Sequence, residues 1–101
     1  MPWIDSFKFD DDFQDFRNDP EGEDFWADRI TAEVSSGHPL HGREWTPVAK
    51  YHPKDEVVVR HGKDVALVHL MFTRASSEHP PWPSTTFFSS ADEFRAHFEY
   101  R

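Results

Sequence analysis

The spacing of apolar residues changes along the chain and predicts a helix before a group of strands. Trp26, Ile30 and Val34 recur at every fourth position, which is the spacing of one face of a helix. Asp19 lies directly before a proline, and this pair is typical of a helix start because Asp caps free backbone N–H groups. We therefore expect a helix over residues 20–35.

Short runs rich in β-branched and aromatic residues follow, and they are typical of strands. These runs are residues 45–51, 56–61, 65–73 and 85–88. A tight-turn sequence around Gly62 and Lys63 predicts a hairpin between the second and third runs. One face of this hairpin is expected to be apolar (Val57, Val59, Ala66, Val68, Leu70 and Phe72) and the other mixed (Val58, Arg60, Leu67 and His69).

The two ends of the chain carry further helical patterns. Ser90 and Glu93 have the spacing of a capping box, which predicts a C-terminal helix. Residues 1–18 interleave aromatic residues with acids. Phe9, Phe13 and Phe16 recur at helical spacing, which predicts a further helix in this segment. Four phenylalanines are more apolar mass than a disordered tail normally carries, so we expect this segment to dock on the body of the protein.

The order of these elements predicts an α+β domain. We expect an antiparallel three- to four-stranded sheet with helices packed on one face, over the apolar side of the hairpin. A chain of 101 residues is expected to form a single domain, with residues 1–18 as an acidic and aromatic segment docked on it. Residues 74–84 have the composition of a loop.

Charge is concentrated at the N-terminal end. Residues 1–28 hold ten acidic and two basic residues, so this segment has a net charge of −8. The whole chain has the same net charge. A field of this sign repels phosphates, so we expect neither nucleic acid nor an anionic membrane as a partner. A basic protein partner would be attracted. The candidate interaction surface consists of Asp10, Asp11, Asp12 and Asp15 together with Trp82.

Trp82 lies in a Pro-Pro-Trp-Pro sequence, whose prolines enforce an extended backbone. One interpretation is a recognition element, because such a loop presents rigid apolar area at low entropic cost. The other is a lid that folds back over one sheet face. We favour the lid, since a tryptophan buries a large area.

Several function classes are excluded by what the sequence lacks. The absence of cysteine excludes disulfides and thiolate zinc sites. The four glycines are isolated, which excludes a phosphate-cradling loop, and we expect no cofactor. The N-terminal residues do not form a secretory signal, and the longest apolar run is far too short to span a bilayer. We therefore expect a cytoplasmic protein.

Histidines are the remaining candidates for chemistry, and the chain has seven of them. His38, His41 and Glu44 come nearest to a metal-ligand cluster, because two histidines and a carboxylate form a common ligand set. The alternative is that they are ordinary loop residues, since no specific metal motif is present. We therefore assign no metal ligand.

His69 is expected opposite Glu56 in the hairpin. This pair is either a general base with its orienting acid or a cross-strand polar pair on a half-exposed face. Ser76, Ser77 and Ser84 are expected in loops, without the sequence pattern that activates a nucleophile. We therefore assign no catalytic residue.

The C-terminal half resembles a family of small bacterial proteins without an assigned activity. The shared pattern is a strand ending in His-Leu, a Pro-Trp-Pro loop, and a threonine and two aromatic residues before a helix with an acidic and aromatic start. The matching positions are His69, Leu70, Trp82, Pro83, Thr85, Phe87, Phe88, Glu93 and Phe94. The acidic N-terminal segment is not part of the resemblance, which implies no function and no catalytic residue.

These features favour a small, non-enzymatic, bacterial-type cytoplasmic protein that acts by binding another protein, as an adaptor or an immunity-type protein does. The alternative is a small hydrolase, either metal-dependent or based on histidine and glutamate. Its candidate residues are His38, His41, Glu44, Glu56 and His69.

Overall fold

The fold is an antiparallel sheet with a helix against each of its two faces. The computed structural model describes residues 2–33, 40, 42, 44–69 and 84–99. The elements in chain order are a 3-10 helix (Trp3–Asp5), β1 (Phe13–Asp15), α1 (Pro20–Glu33), β2 (Thr46–Tyr51), β3 (Glu56–His61), β4 (Asp64–His69), β5 (Ser84–Phe88) and α2 (Ala91–Glu99). The strands lie in the order β1-β2-β3-β4-β5, and each neighbouring pair is antiparallel. The predicted α+β class is confirmed, but the sheet has five strands rather than three or four.

The fifth strand comes from the N-terminal segment, where the helical spacing of the phenylalanines was misleading. Phe13 pairs with Tyr51, so β1 adds an edge strand to β2. The side chain of Asp10 accepts a hydrogen bond from the backbone N–H of Asp12, at 2.9 Å. Short acidic side chains that bond nearby backbone groups in this way compete with helix formation. The prediction of a helix here is therefore wrong.

Both helices begin at the capping residues expected from the sequence. The carboxylate of Asp19 accepts a hydrogen bond from the N–H of Gly22 (3.2 Å), and the hydroxyl of Ser90 accepts one from the N–H of Glu93 (3.2 Å). The carboxylate of Glu93 bonds Ser89 rather than closing the box on Ser90.

The hairpin of β3 and β4 has the predicted register. Val57 lies opposite Val68, and Gly62 has a φ of +61° in the turn, a conformation that glycine adopts without strain. The apolar face forms one buried cluster, which contains Ile30, Leu40, Trp45, Val57, Val59, Ala66 and Val68, with Trp26 packed against it. Leu70 and Phe72 lie outside the described residues. The helix expected over this face is α1.

The opposite face, predicted to be mixed, forms a second buried cluster. Its members are Ile4, Val48, Ala49, Val58, Val65, Leu67, Phe88 and Phe94, with Trp3, Phe7, Phe9, Phe13 and Phe98 packed against them. The N-terminal segment and α2 therefore cover this face, while α1 covers the other. The expectation that the helices pack together on one face is wrong, because α2 buries Phe94 against the face that α1 leaves open. Of its two predicted polar members, Arg60 bonds the carboxylate of Asp5 and the carbonyl of Gly62 at one end of the sheet, and His69 lies beside Glu56.

Candidate interaction surface

The four aspartates predicted to form an interaction surface differ in their surroundings. Asp10, Asp11 and Asp12 are exposed at the turn that leads into β1. Asp15 forms an ion pair with Arg17, whose side-chain hydrogen bonds lower the pKa of the Asp15 carboxyl although partial burial raises it. Asp15 is therefore held by its own chain and is a weaker candidate for contact with a partner.

A cleft of about 460 Å³ lies between α1 and the residues that lead into β2. We call it the acidic cleft, because its walls carry the carboxylates Glu23, Asp24, Asp28 and Glu44. Its apolar lining includes Ile30, Leu40 and Trp45, which are buried in the cluster under α1. The indole N–H of Trp45 donates to the carbonyl of Leu40, at 3.2 Å, and this bond fixes the wall opposite α1.

The carboxylates of the acidic cleft are not neutralised within the described part of the chain. The ion pairs found there join Arg17 to Asp15, Arg60 to Asp5, His69 to Glu56 and Arg95 to Asp92, and none involves a cleft carboxylate. Asp24 and Asp28 are four residues apart, so they share a helix face and reinforce each other's field. The spacing of Asp24 and Asp28 is visible in the sequence and indicates an acidic helix face. Counting the acids of residues 1–28 did not reveal it.

An aromatic side chain is exposed on the same helix. Phe25 is 62% exposed and contacts the ring of Trp26 edge-on, with the ring centroids 4.9 Å apart. Glu21 and Asp28 lie about one helical turn from Phe25 on either side. An exposed ring flanked by carboxylates attracts a cationic side chain, both through charge and through the negative face of the ring.

A second cleft, of about 320 Å³, lies on the opposite face of the sheet. We call it the aromatic cleft, because it is lined by Phe7, Phe13, Tyr51, Phe94 and Phe98. Its rim carries Asp10, Asp12 and Glu99 but also Lys8 and Arg95. The two bases offset most of the acidic charge here, in contrast to the acidic cleft.

The hairpin pair of Glu56 and His69 forms as predicted. The side chain of Glu56 is 7% exposed and that of His69 is 44% exposed, and Oε2 of the former lies 3.8 Å from Nδ1 of the latter. This distance suits an ion pair but is too long for a hydrogen bond. The structure also places Ser84 in β5, its backbone opposite His69, so the prediction of a loop at this serine is wrong.

The other candidate residues do not join this pair within the described chain. Glu44 lies by the far end of β3, where its backbone carbonyl accepts a contact from the ring of His61 at 2.8 Å, about 17 Å along the strand from Glu56. His38, His41 and Trp82 lie outside the described residues. Among those that are described, no three His, Asp or Glu side chains are grouped to hold a metal ion.

No protein-family model matches the chain, and no curated protein and no solved structure is significantly similar to it. The resemblance of the C-terminal half to a bacterial family therefore stays a prediction. Within the described residues, no helix has both the length and the hydropathy that crossing a membrane requires.

Proposed function

We propose that this protein is a non-enzymatic cytoplasmic binding protein, of adaptor or immunity type, whose acidic cleft receives a basic surface of another protein. The observation that carries the proposal is the set of four carboxylates in one cleft without a basic partner among the described residues. Like charges held close together raise the free energy of the folded chain, and a cationic partner relieves that repulsion.

The shape and chemistry of the acidic cleft favour an arginine or a lysine of the partner. A guanidinium pairs with a carboxylate through two parallel hydrogen bonds. The aliphatic stem of the same side chain packs on the apolar lining. Phe25 lies on the same helix outside the lining of the cleft, and its exposed ring offers a stacking surface to a neighbouring cationic side chain of the partner. The unbalanced acidic charge over residues 1–28 would in addition accelerate the encounter with a basic protein.

The centre of the proposed interaction surface lies on helix α1, whereas the sequence predicted it at the aspartates before β1. Asp10 and Asp12 share the rim of the aromatic cleft with Lys8 and Arg95, so a basic partner meets a smaller net charge there. Asp11 remains exposed and adds to the general field.

The proposal is tested with an oligo-arginine peptide and two variants of equal net charge. Asp24→Asn combined with Asp28→Asn removes two carboxylates from the acidic cleft, and Asp10→Asn combined with Asp12→Asn removes two from the rim of the aromatic cleft. Calorimetric titration at low salt should show binding weakened about 2- to 30-fold in the first variant, since exposed ion pairs contribute about 0.2–1 kcal/mol each. The second variant should bind nearly as the parent does. Equal weakening in both variants would show that binding depends only on the net charge of the protein, and this would contradict the proposal.

The hydrolase alternative has one observation in its favour. The strand register puts Glu56, His69 and Ser84 in one row across β3, β4 and β5, with neighbouring backbones about 5 Å apart. A fluorophosphonate probe labels an activated serine covalently. Stoichiometric labelling that disappears in Ser84→Ala would support a hydrolase, whereas our proposal predicts no such labelling.

A further inference from the structure

The two edge strands of the sheet are built differently. β1 is three residues long, contains Asp15 and follows the exposed aspartates 10–12. Short length and charged side chains are the usual means by which proteins prevent an edge strand from pairing with another chain. β5 is five residues long, contains neither a charged residue nor a proline, and pairs with β4 without a register shift.

The middle of β5 is accessible. In the part of the chain that the structure describes, β5 has a neighbouring strand on one side only, because it ends the sheet. Thr86 is exposed and Phe87 is 48% exposed, and neither backbone bonds a described residue outside β4. An uncharged edge strand that carries an exposed aromatic side chain favours pairing with an added strand.

We propose that β5 pairs antiparallel with β5 of a second copy of this chain, so that two sheets join across a two-fold axis. The distribution of charge allows a second copy to approach this edge without repulsion. The acids of residues 1–28 lie on the N-terminal segment and on α1, and α1 packs chiefly against β2. β5 is three strands away from β2, about 14 Å across the sheet. Two copies that meet at β5 therefore keep their acidic regions apart.

The sequence of β5 suits pairing with itself. An antiparallel pair centred on Thr86 places this residue opposite Thr86 of the second copy and places Phe87 opposite Thr85 of the second copy. Threonine pairs and aromatic pairs with β-branched residues are both favourable across strands. The pairing also keeps Phe87 on the α1 side of both sheets, so the pleat continues through the joint. The contact is the same patch on both copies, as a two-fold interface requires.

The test is sedimentation velocity of the full chain over about 1 to 500 µM, a range that suits the small interface of one strand pair. The parent should change from monomer to dimer within this range. Thr86→Lys brings two like charges face to face and should weaken the dimer about tenfold or more. Gln14→Lys makes the same substitution in the middle of β1, the other edge strand, and should leave the association unchanged. Circular dichroism checks that each variant is folded, and Thr86→Glu serves if Thr86→Lys does not fold.

Mixing the two charged variants tests the register. Thr86→Lys and Thr86→Glu each repel themselves, but together they place opposite charges across the axis, so their mixture should recover the dimer. A parent chain that stays monomeric throughout, or a dimer that Thr86→Lys leaves intact, would overturn the proposal. A mixture that stays monomeric would overturn the two-fold pairing centred on Thr86. A monomer whose β5 instead takes up an unrelated extended peptide would assign this edge to another partner and would also overturn it.

Discussion

The acidic cleft and the aromatic cleft lie on opposite faces of one sheet and differ in what their side chains do. In the aromatic cleft, Phe94 lies within 6.0 Å, between ring centroids, of Phe7, Phe9 and Phe13, and the charges on the rim are nearly balanced. In the acidic cleft, four carboxylates lie on the two walls without a basic partner in the described chain.

The aromatic cleft therefore stabilises the fold, whereas the acidic cleft is available for binding. Packed rings contribute free energy of folding, whereas unpaired like charges reduce it. Residues that reduce stability at a surface are typical of binding sites, because function rather than folding retains them. Substitutions in the two clefts should therefore change stability in opposite ways.

The largest effect is expected at Phe94, which is 2% exposed at the centre of the aromatic cluster. Phe94→Ala should lower the free energy of unfolding by about 3–5 kcal/mol, because it removes a buried ring and leaves a cavity. Phe25→Ala on α1 is the control and should cost less than about 1 kcal/mol. Urea denaturation measures both, and similar losses would show that the buried ring of Phe94 stabilises the fold no more than the exposed ring of Phe25 does.

An intermediate effect is expected at Gly22, where α1 meets the N-terminal segment. A Cβ at this position would lie 2.7 Å from Oδ2 of Asp19 and 2.9 Å from Cδ1 of Phe16, a buried ring. Gly22→Ala should therefore destabilise the protein by about 1–3 kcal/mol through overpacking. Helix propensity alone predicts the opposite sign, a gain of about 1 kcal/mol. A higher melting temperature in Gly22→Ala would show that Asp19 and Phe16 make room at little cost.

A smaller effect is expected at Asp15, the aspartate paired with Arg17. Because its pKa is lowered in the folded protein, the pair stabilises the fold above the ordinary carboxyl pKa of about 3.9 and loses this contribution as the pH falls below it. Asp15→Asn should cost no more than about 1 kcal/mol at pH 7, since the side chain is partly exposed. Melting temperatures of parent and variant should converge below about pH 4. A difference that persists at low pH would assign the effect to something other than charge.

The smallest effect, of opposite sign, is expected in the acidic cleft. Asp24→Asn combined with Asp28→Asn removes two carboxylates that repel each other, so the melting temperature should stay unchanged or rise slightly. A clear loss of stability would show that these acids have a structural role and would weaken the distinction between the two clefts.

Sequence patterns predicted α1 and the hairpin of β3 and β4 well, because these elements are determined by residues close together in the chain. The N-cap at Asp19 and the turn at Gly62 depend on neighbouring residues, and the hairpin register follows from the turn. The strand at Phe13 could not be predicted in this way, because it depends on pairing with Tyr51, distant in the sequence. The apolar character of the second sheet face was underestimated for the same reason, since it is completed by Ile4 and Phe94 from the two ends of the chain.

The sequence predicted the acidic charge of the candidate surface but not its position on the fold. Charge over residues 1–28 indicated a basic partner, but only the fold reveals that Glu44 joins Asp24 and Asp28 across a cleft. Of the two bases that balance Asp10, Lys8 is close in the sequence, but Arg95 comes from α2. The single-domain organisation of residues 1–101 and the role of Trp82 stay predictions.

Whether the acidic cleft binds a basic partner is decided by mapping where a basic ligand binds. An oligo-arginine peptide is titrated into ¹⁵N-labelled protein at low salt, and backbone amide shifts are followed residue by residue. We expect saturable shifts concentrated in residues 23–31 and 44–46, with little change in residues 8–13 and 95–99. Shifts centred on the aromatic cleft, or spread evenly over the acidic surface, would contradict this expectation.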